Sequence, residues 1–205
     1  MAVKSSFKNM TLCLLAICLV CSALLAGVYA LTAEPIAAAA AAKNEAAIKE
    51  VLPEAAVAIE EERTVEMDGQ TYSYNLAYDE QGNTVGCAIN VSALGFGGPI
   101  VIKVGFNADG LIWNTKVLSQ AETPGLGAKC TEPSFSDQFK QFNPAEKSLK
   151  VKKDGGDVDA ITASTITSRA YASGLAVAVN VFNTIVGTPM PLDSLTGATV
   201  AEETK

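Results

Sequence analysis

The chain has no histidine in its 205 residues. That one absence removes Ser-His-Asp triads, Cys-His dyads, histidine-ligated zinc and a histidine general base together. Positive charge is in deficit: 15 Lys and Arg stand against 22 Asp and Glu, for a net charge of -7. Nucleic acid is therefore not an expected partner. Of the five cysteines, Cys13, Cys18 and Cys21 lie in an apolar N-terminal run, while Cys87 and Cys130 lie far apart in the remainder. An iron–sulfur or zinc framework is not expected. Cys87 and Cys130 either form one disulfide, if they face an oxidising space, or stay as two partly buried thiols. With these classes gone, any chemistry must rest on a bound cofactor or on carboxylates.

The most prominent feature that is present is the apolar run. Thr11 to Leu31 carries no charge, and a helix of that length, rising about 1.5 Å per residue, spans the hydrocarbon core of a bilayer. Lys4 and Lys8 precede it and acidic residues dominate the region after it. The positive-inside bias then places residues 1–10 in the cytoplasm and the main domain on the outer, periplasmic side of the inner membrane, with a single pass at 11–31. Val28-Tyr29-Ala30 loosely resembles a signal-peptidase site, but the run is long for a cleaved leader. Its Ala, Gly and Cys content suits packing against other membrane helices, a plain lipid anchor being the alternative.

Residues 32–64 are rich in Ala and Glu and read as a helical stalk or linker, with a helix from Ala37 to Val51 broken near Pro53. From Val65 the pattern changes to period two. Tyr72, Tyr74, Leu76 and Tyr78 share one face of a strand, and Asp79 to Asn83 is a turn leading into a partner strand at Thr84 to Val91. Ile100 to Phe106 and Leu111 to Leu118 form a second hairpin across Asn107 to Gly110. A helix is expected around Ser134 to Phe142, with Phe135, Phe139 and Phe142 as core. Leu149 to Lys152 and Val158 to Ile161 are short extended pieces. A last helix runs from about Thr167 to Val186, carrying Tyr171, Leu175, Ala178, Phe182 and Ile185 at three- and four-residue steps, and ends at Gly187 and Pro189. The expected class is α+β: an antiparallel sheet packed with helices over 65–187, preceded by the transmembrane helix and followed by a tail at 188–205.

Three segments are candidates for function. Gly95-Phe96-Gly97-Gly98-Pro99 allows unusual backbone angles and close approach of a flat ligand. Glu122-Thr123-Pro124-Gly125-Leu126-Gly127 is a compact turn with two polar side chains. Thr162, Ser164, Thr165, Thr167 and Ser168 crowd a helix start, and one cap needs only one hydroxyl. A helix start offers unpaired N–H groups and a positive dipole end, which together favour a phosphate.

These three motifs, Gly-Phe-Gly-Gly-Pro-Ile, Glu-Thr-Pro-Gly-Leu-Gly-Ala-Lys and Asp-x-x-Thr-x-x-Thr-x-Thr-Ser, occur in that order behind a single membrane helix. Over residues 1–187 the chain resembles the FMN-binding G subunit of Rnf complexes, and is similar to the C subunit of the sodium-pumping NADH:quinone reductase. The resemblance implies an electron-transfer subunit of an ion-translocating ferredoxin:NAD oxidoreductase, not catalytic alone. It implies FMN held as a phosphoester on a threonine in an Asp-x-x-Ser/Thr-Gly-Ala-Thr pattern, installed from FAD by a separate flavin transferase. The matching position is Thr165, among Thr162, Ser164, Thr167 and Ser168. The loops carrying Phe96, Gly97, Gly98, Glu122, Thr123, Gly125, Leu126 and Gly127 would flank the ring, with Glu122 and Thr123 hydrogen-bonding to it. Lys129 or Lys153 would stabilise the reduced, anionic flavin. Other Rnf membrane subunits and membrane lipid are the implied partners. The alternatives are a component like the C subunit of the quinone reductase and a membrane-anchored module without redox activity. The pattern departs at Ala163-Ser164, where the family has Gly-Ala. Asp193-Ser-Leu-Thr-Gly-Ala-Thr199 repeats the family wording more closely near the C-terminus.

Overall fold

In the computed structural model, residues 7–186 are described. The echo at Asp193 to Thr199, the tail at 188–205 and the proposed stop at Gly187 and Pro189 lie outside them. Helix α1 (Phe7–Val51) runs 45 residues with Pro35 inside it. The anchor and the expected stalk helix are one helix that ends at Val51, before Pro53 as expected, while the rest of the stretch to residue 64 is not helical. Pro35 removes a single backbone donor, and the alanine-rich turns around it have the highest intrinsic helix propensity. An 18-residue window of α1 has a mean hydropathy of 2.6, so it is long and apolar enough to cross a bilayer. Cys18 and Cys21 do carry a two-residue spacing of the kind metal sites use. Both are free, and among the described residues no group of three or more His, Cys, Asp or Glu is placed to hold a metal ion.

Residues up to Asn44 form one unit and those from Glu45 onward a second. The compact unit thus begins well before the residue-65 boundary read from composition. Its six-stranded antiparallel sheet contains β1 (Ala58–Ile59), β2 (Arg63–Met67), β3 (Gln70–Tyr78), β4 (Thr84–Leu94), β5 (Pro99–Asn107) and β6 (Ile112–Ser119). The order is β1-β3-β4-β5-β6, with β2 also paired to β3. The expected hairpins are present, with β3, β4 and β5 longer than period two alone marks and β6 shifted by one residue. The stretch read as linker contributes β1 and the start of β2.

Alternation sorts the sheet into two faces. Ile100, Ile102, Val104 and Phe106 of β5 join Cys87, Ile89 and Val91 of β4 beneath α3 (Thr165–Val186). Tyr171, Leu175, Ala178 and Phe182 of α3 are buried against them, as their spacing requires. The expected helix around Ser134 to Phe142 is shorter: α2 (Pro133–Ser136) passes into a 3-10 turn at Asp137–Phe139, and Lys140 is extended. Tertiary packing decides this. Phe135 meets Tyr171 edge-on, Phe139 stacks on Tyr171, and Phe142 bridges to Ile112 instead of continuing a helix. The two domain cysteines are free and buried, and burial pushes Cys87 up to about 12 and Cys130 up to about 11.

The opposite face is covered by the end of α1. Ile48, Val51 and Leu52 pack on Ala77 and Ala88. On this face Lys103 is fully buried, its Nζ donating only a long 3.5 Å bond to Asn75 Oδ1. Burial lowers its pKa from 10.5 to about 8, against an opposing pull from Glu62. The unfolded chain therefore holds this proton more tightly, so its contribution to stability rises with pH between about 8 and 10.5 and the penalty is complete below 8. Lys103→Met is expected to add about 1–3 kcal/mol at neutral pH. Denaturant unfolding of wild type and variant across that window checks this. A difference that does not shrink with rising pH would contradict it, whatever Cys87 and Cys130 add to both curves.

Candidate functional site

The β4–β5 hairpin closes at Gly95 to Gly98, where the Gly95 N–H donates to the Gly98 carbonyl at 2.9 Å. Residues after β6 return past this tip, turn at Gly125 (φ 76°) and enter a 3-10 turn at Gly127–Thr131. The chain then reaches the tip again at the start of α3. Thr165 is the first helical residue, two positions earlier than the periodicity indicates.

Between these three segments lies an open cleft of about 430 Å³, lined by Phe96, Glu122, Thr123, Leu126, Gly127 and residues 163–167. It brings together Phe96, Glu122, Thr123, Leu126, Gly127, Ser164, Thr165 and Thr167 of the sequence candidates. Ile166, a cleft residue that motif reading passes over, is exposed at its edge. Its only sequence signal is an apolar residue where a first helical turn ordinarily faces solvent. Phe96 is 71% exposed, and with Leu126 and Ile166 gives the cleft apolar walls.

Several of the remaining candidates serve the frame. The Gly97 N–H points at Glu122, and Gly98 packs beside Ala121. The Ser168 hydroxyl donates to the Ser164 carbonyl at 3.0 Å and accepts the Ile161 N–H at 2.9 Å, which fixes the turn into α3. Thr162 and Lys129 are exposed and line no part of the cleft. The Lys153 Nζ stands 3.4 Å from Thr165 Oγ1, the hydroxyl that the cleft presents. Arg169 pairs with Asp154 at 2.7 Å through both guanidinium donors, and this contact holds the Asp154 carboxyl below the usual range.

The start of α3 suits a phosphate on several counts. The N–H groups of the first helical residues have no carbonyl acceptor within the helix, and the dipole's positive end lies there. A helix N-terminus, an adjacent ammonium and a flat apolar slot are the recognition elements that an aromatic nucleotide requires. The residues present therefore fit FMN.

The departure at Ala163 also has a structural meaning. Its φ is 61°, and the Ser164 N–H closes the turn on the Ile161 carbonyl at 3.0 Å. An L-residue with a Cβ is strained there, and glycine is not. Ala163→Gly is expected to stabilise the full-length protein by about 0.5–1 kcal/mol, net of the freedom glycine adds to the unfolded chain. Equilibrium unfolding in detergent reads the difference, and a destabilised variant contradicts the strain.

Residues 95–180 match the family model described as the FMN-binding domain, and residues 1–51 match the RnfG N-terminal region. The class is thus an FMN-binding domain carried behind an apolar N-terminal helix. The G subunit of the ion-translocating oxidoreductase complex of Methanosarcina acetivorans is 37% identical over 165 residues, covering 78% of this chain and 86% of that protein. The G subunit of the proton-translocating ferredoxin:NAD(+) oxidoreductase complex of Clostridium ljungdahlii is 34% identical over 53% of this chain and 60% of its own length. The crystal structure of the C subunit of the Na(+)-translocating NADH-quinone reductase from Parabacteroides distasonis is 25% identical over 65% of this chain and 77% of its own, with a TM-score of 0.44. The chain belongs to the family of G subunits of ion-translocating oxidoreductase complexes.

Proposed function

We propose that this chain is the flavin-bearing electron-transfer subunit of an ion-translocating ferredoxin:NAD oxidoreductase complex, with FMN esterified to Thr165. The observation that carries the attachment site is the position of the Thr165 hydroxyl. It opens the first turn of α3 inside the cleft, with the Lys153 Nζ at 3.4 Å. Attachment from FAD would join the Thr165 oxygen to the phosphorus of the FMN half, release AMP and free the hydroxyl proton; Lys153 would offset the negative charge of the diester, and the α3 amides would donate to its oxygens. Thus Lys153 serves the phosphate end of the flavin and not the reduced ring.

Bound FMN supplies reversible one- and two-electron redox chemistry. The chain would supply its placement, with Phe96, Leu126 and Ile166 as the apolar walls against a flat ring. In this reading the apolar part of Phe7–Val51 crosses the membrane once, and the lysines before it and acidic residues after it support a cytoplasmic N-terminus with the flavin domain on the outer side. Its partners are the other membrane subunits of the complex and, during maturation, the flavin transferase. Co-expression with a flavin transferase, followed by a denaturing gel viewed under ultraviolet light, tests the attachment. A fluorescent band is expected. A dark band beside a labelled control protein favours the alternative of a membrane-anchored module without redox activity.

A further inference from the structure

We propose that Glu122 is a positioning residue, a clasp that shapes the cleft before any cofactor arrives. Its carboxylate ties the tip of the β4–β5 hairpin to the first turn of α3. Oε1 accepts the Gly97 N–H at 2.9 Å and Oε2 accepts the Thr167 hydroxyl at 2.6 Å. The Glu122 N–H is itself held by Gln120 Oε1 at 2.6 Å. The side chain is only 6% exposed, and among the described residues no lysine or arginine pairs with it. A buried carboxylate without a cation is tolerable when strong donors point at it, and here both oxygens have one.

The glycines of both loops are arranged around this group. A Cβ on Gly95 would overlap Oε1 of Glu122. One on Gly127 would overlap Oε2 and stand 2.6 Å from the Thr167 oxygen. The carboxylate occupies the space that these two missing side chains leave. Much of what reads in the sequence as room for a flat ligand is room for Glu122.

Two consequences separate this role from simple packing. Thr165 and Thr167 share one helical turn, so the clasp sets the distance from the Thr165 hydroxyl to the hairpin tip. The clasp also places an unpaired negative charge beside the cleft. Glu122→Gln keeps its geometry: the amide oxygen still accepts the Gly97 N–H, and the amide N–H donates to the Thr167 oxygen. It removes the charge. The second consequence rests on the cleft being the flavin site; the first does not.

The test uses the full-length protein in detergent. Without flavin, hydrogen exchange at the Gly97 amide is expected to accelerate roughly tenfold or more in Glu122→Ala and Thr167→Val, while β5 core amides keep their protection. Thr167→Ser, which restores the hydroxyl, returns the wild-type rate, as a purely apolar packing role would not. After co-expression with the transferase, Thr167→Val carries several-fold less covalent flavin. Glu122→Gln carries flavin whose reduction potential is more positive than wild type, because reduction no longer adds charge beside an anion. Unchanged Gly97 exchange in Thr167→Val, or a Thr167→Ser variant as fast as Thr167→Val, overturns the clasp even if Glu122→Ala does not fold. An unshifted potential overturns the charged role. If wild type carries no flavin, the flavin reading fails, while the exchange rates still decide the clasp.

Discussion

Thr165→Val is expected to abolish covalent flavin completely while leaving the domain folded. Valine is close to threonine in shape but has no oxygen to bond to phosphorus, and the Thr165 hydroxyl lies at the cleft edge outside the buried core. Trypsin should cut after Lys153 and Arg169, so Thr165 falls in the peptide Asp154–Arg169 and the echo at Thr199 in Ala170–Lys205. The FMN mass is expected on the first peptide alone. Its appearance only on the second, or a variant that stays fluorescent, would sink Thr165 as the anchor. Ala163-Ser164 is the less faithful copy of the family wording, yet the turn at Ala163 already has the left-handed backbone that glycine would adopt freely. The attachment geometry therefore survives the substitution at the cost of local strain.

The largest loss of stability is expected at a position with no part in the chemistry. Gly105 lies in the middle of the sheet, opposite Ala88 of β4 and Asn114 of β6. A Cβ there would overlap the carbonyl of Val51, which is backbone of the last turn of α1 and cannot rotate away. Gly105→Ala should cost about 1–3 kcal/mol by overpacking. That is a fall in Tm of roughly 2–4 °C per kcal/mol for a domain of this size. The damage should be local: protection from hydrogen exchange falls first at residues 45–60, which cover this face, and last in α3. Thermal unfolding and exchange of the full-length protein check this. A Tm within a degree of wild type would show that the α1 end does not press on the sheet.

The antiparallel sheet, its hairpins and α3 were legible along the chain because each repeats a local period that burial on one face imposes. Ile100, Ile102, Val104 and Phe106 announce a strand, and Tyr171, Leu175, Ala178 and Phe182 announce a helix, whatever the rest of the molecule does. The cleft's composition was legible for another reason. Gly95 to Gly98, Glu122 to Gly127 and Thr162 to Ser168 are dense in residues whose only local rationale is a turn or a cap, and they exceed that need.

What each of those residues does was decided by the tertiary fold. Glu122 meets Gly97, 25 positions away, and Thr167, 45 positions away, and no local pattern encodes contacts of that separation. Its carboxylate therefore reads as a ligand contact in the chain and as a clasp in the fold. Lys153 reaches the Thr165 hydroxyl end because a turn at Gly155 folds its segment back toward α3. The start of the compact unit at Glu45 escaped composition because Ile48, Val51 and Leu52 look like the end of an alanine-rich stalk until Ala77, Ala88 and Gly105 provide a surface shallow enough to bury them. Side-chain periodicity and turn chemistry are local and survive in one dimension. Which face is covered, and which carboxylate is enclosed, depends on segments meeting across the sheet.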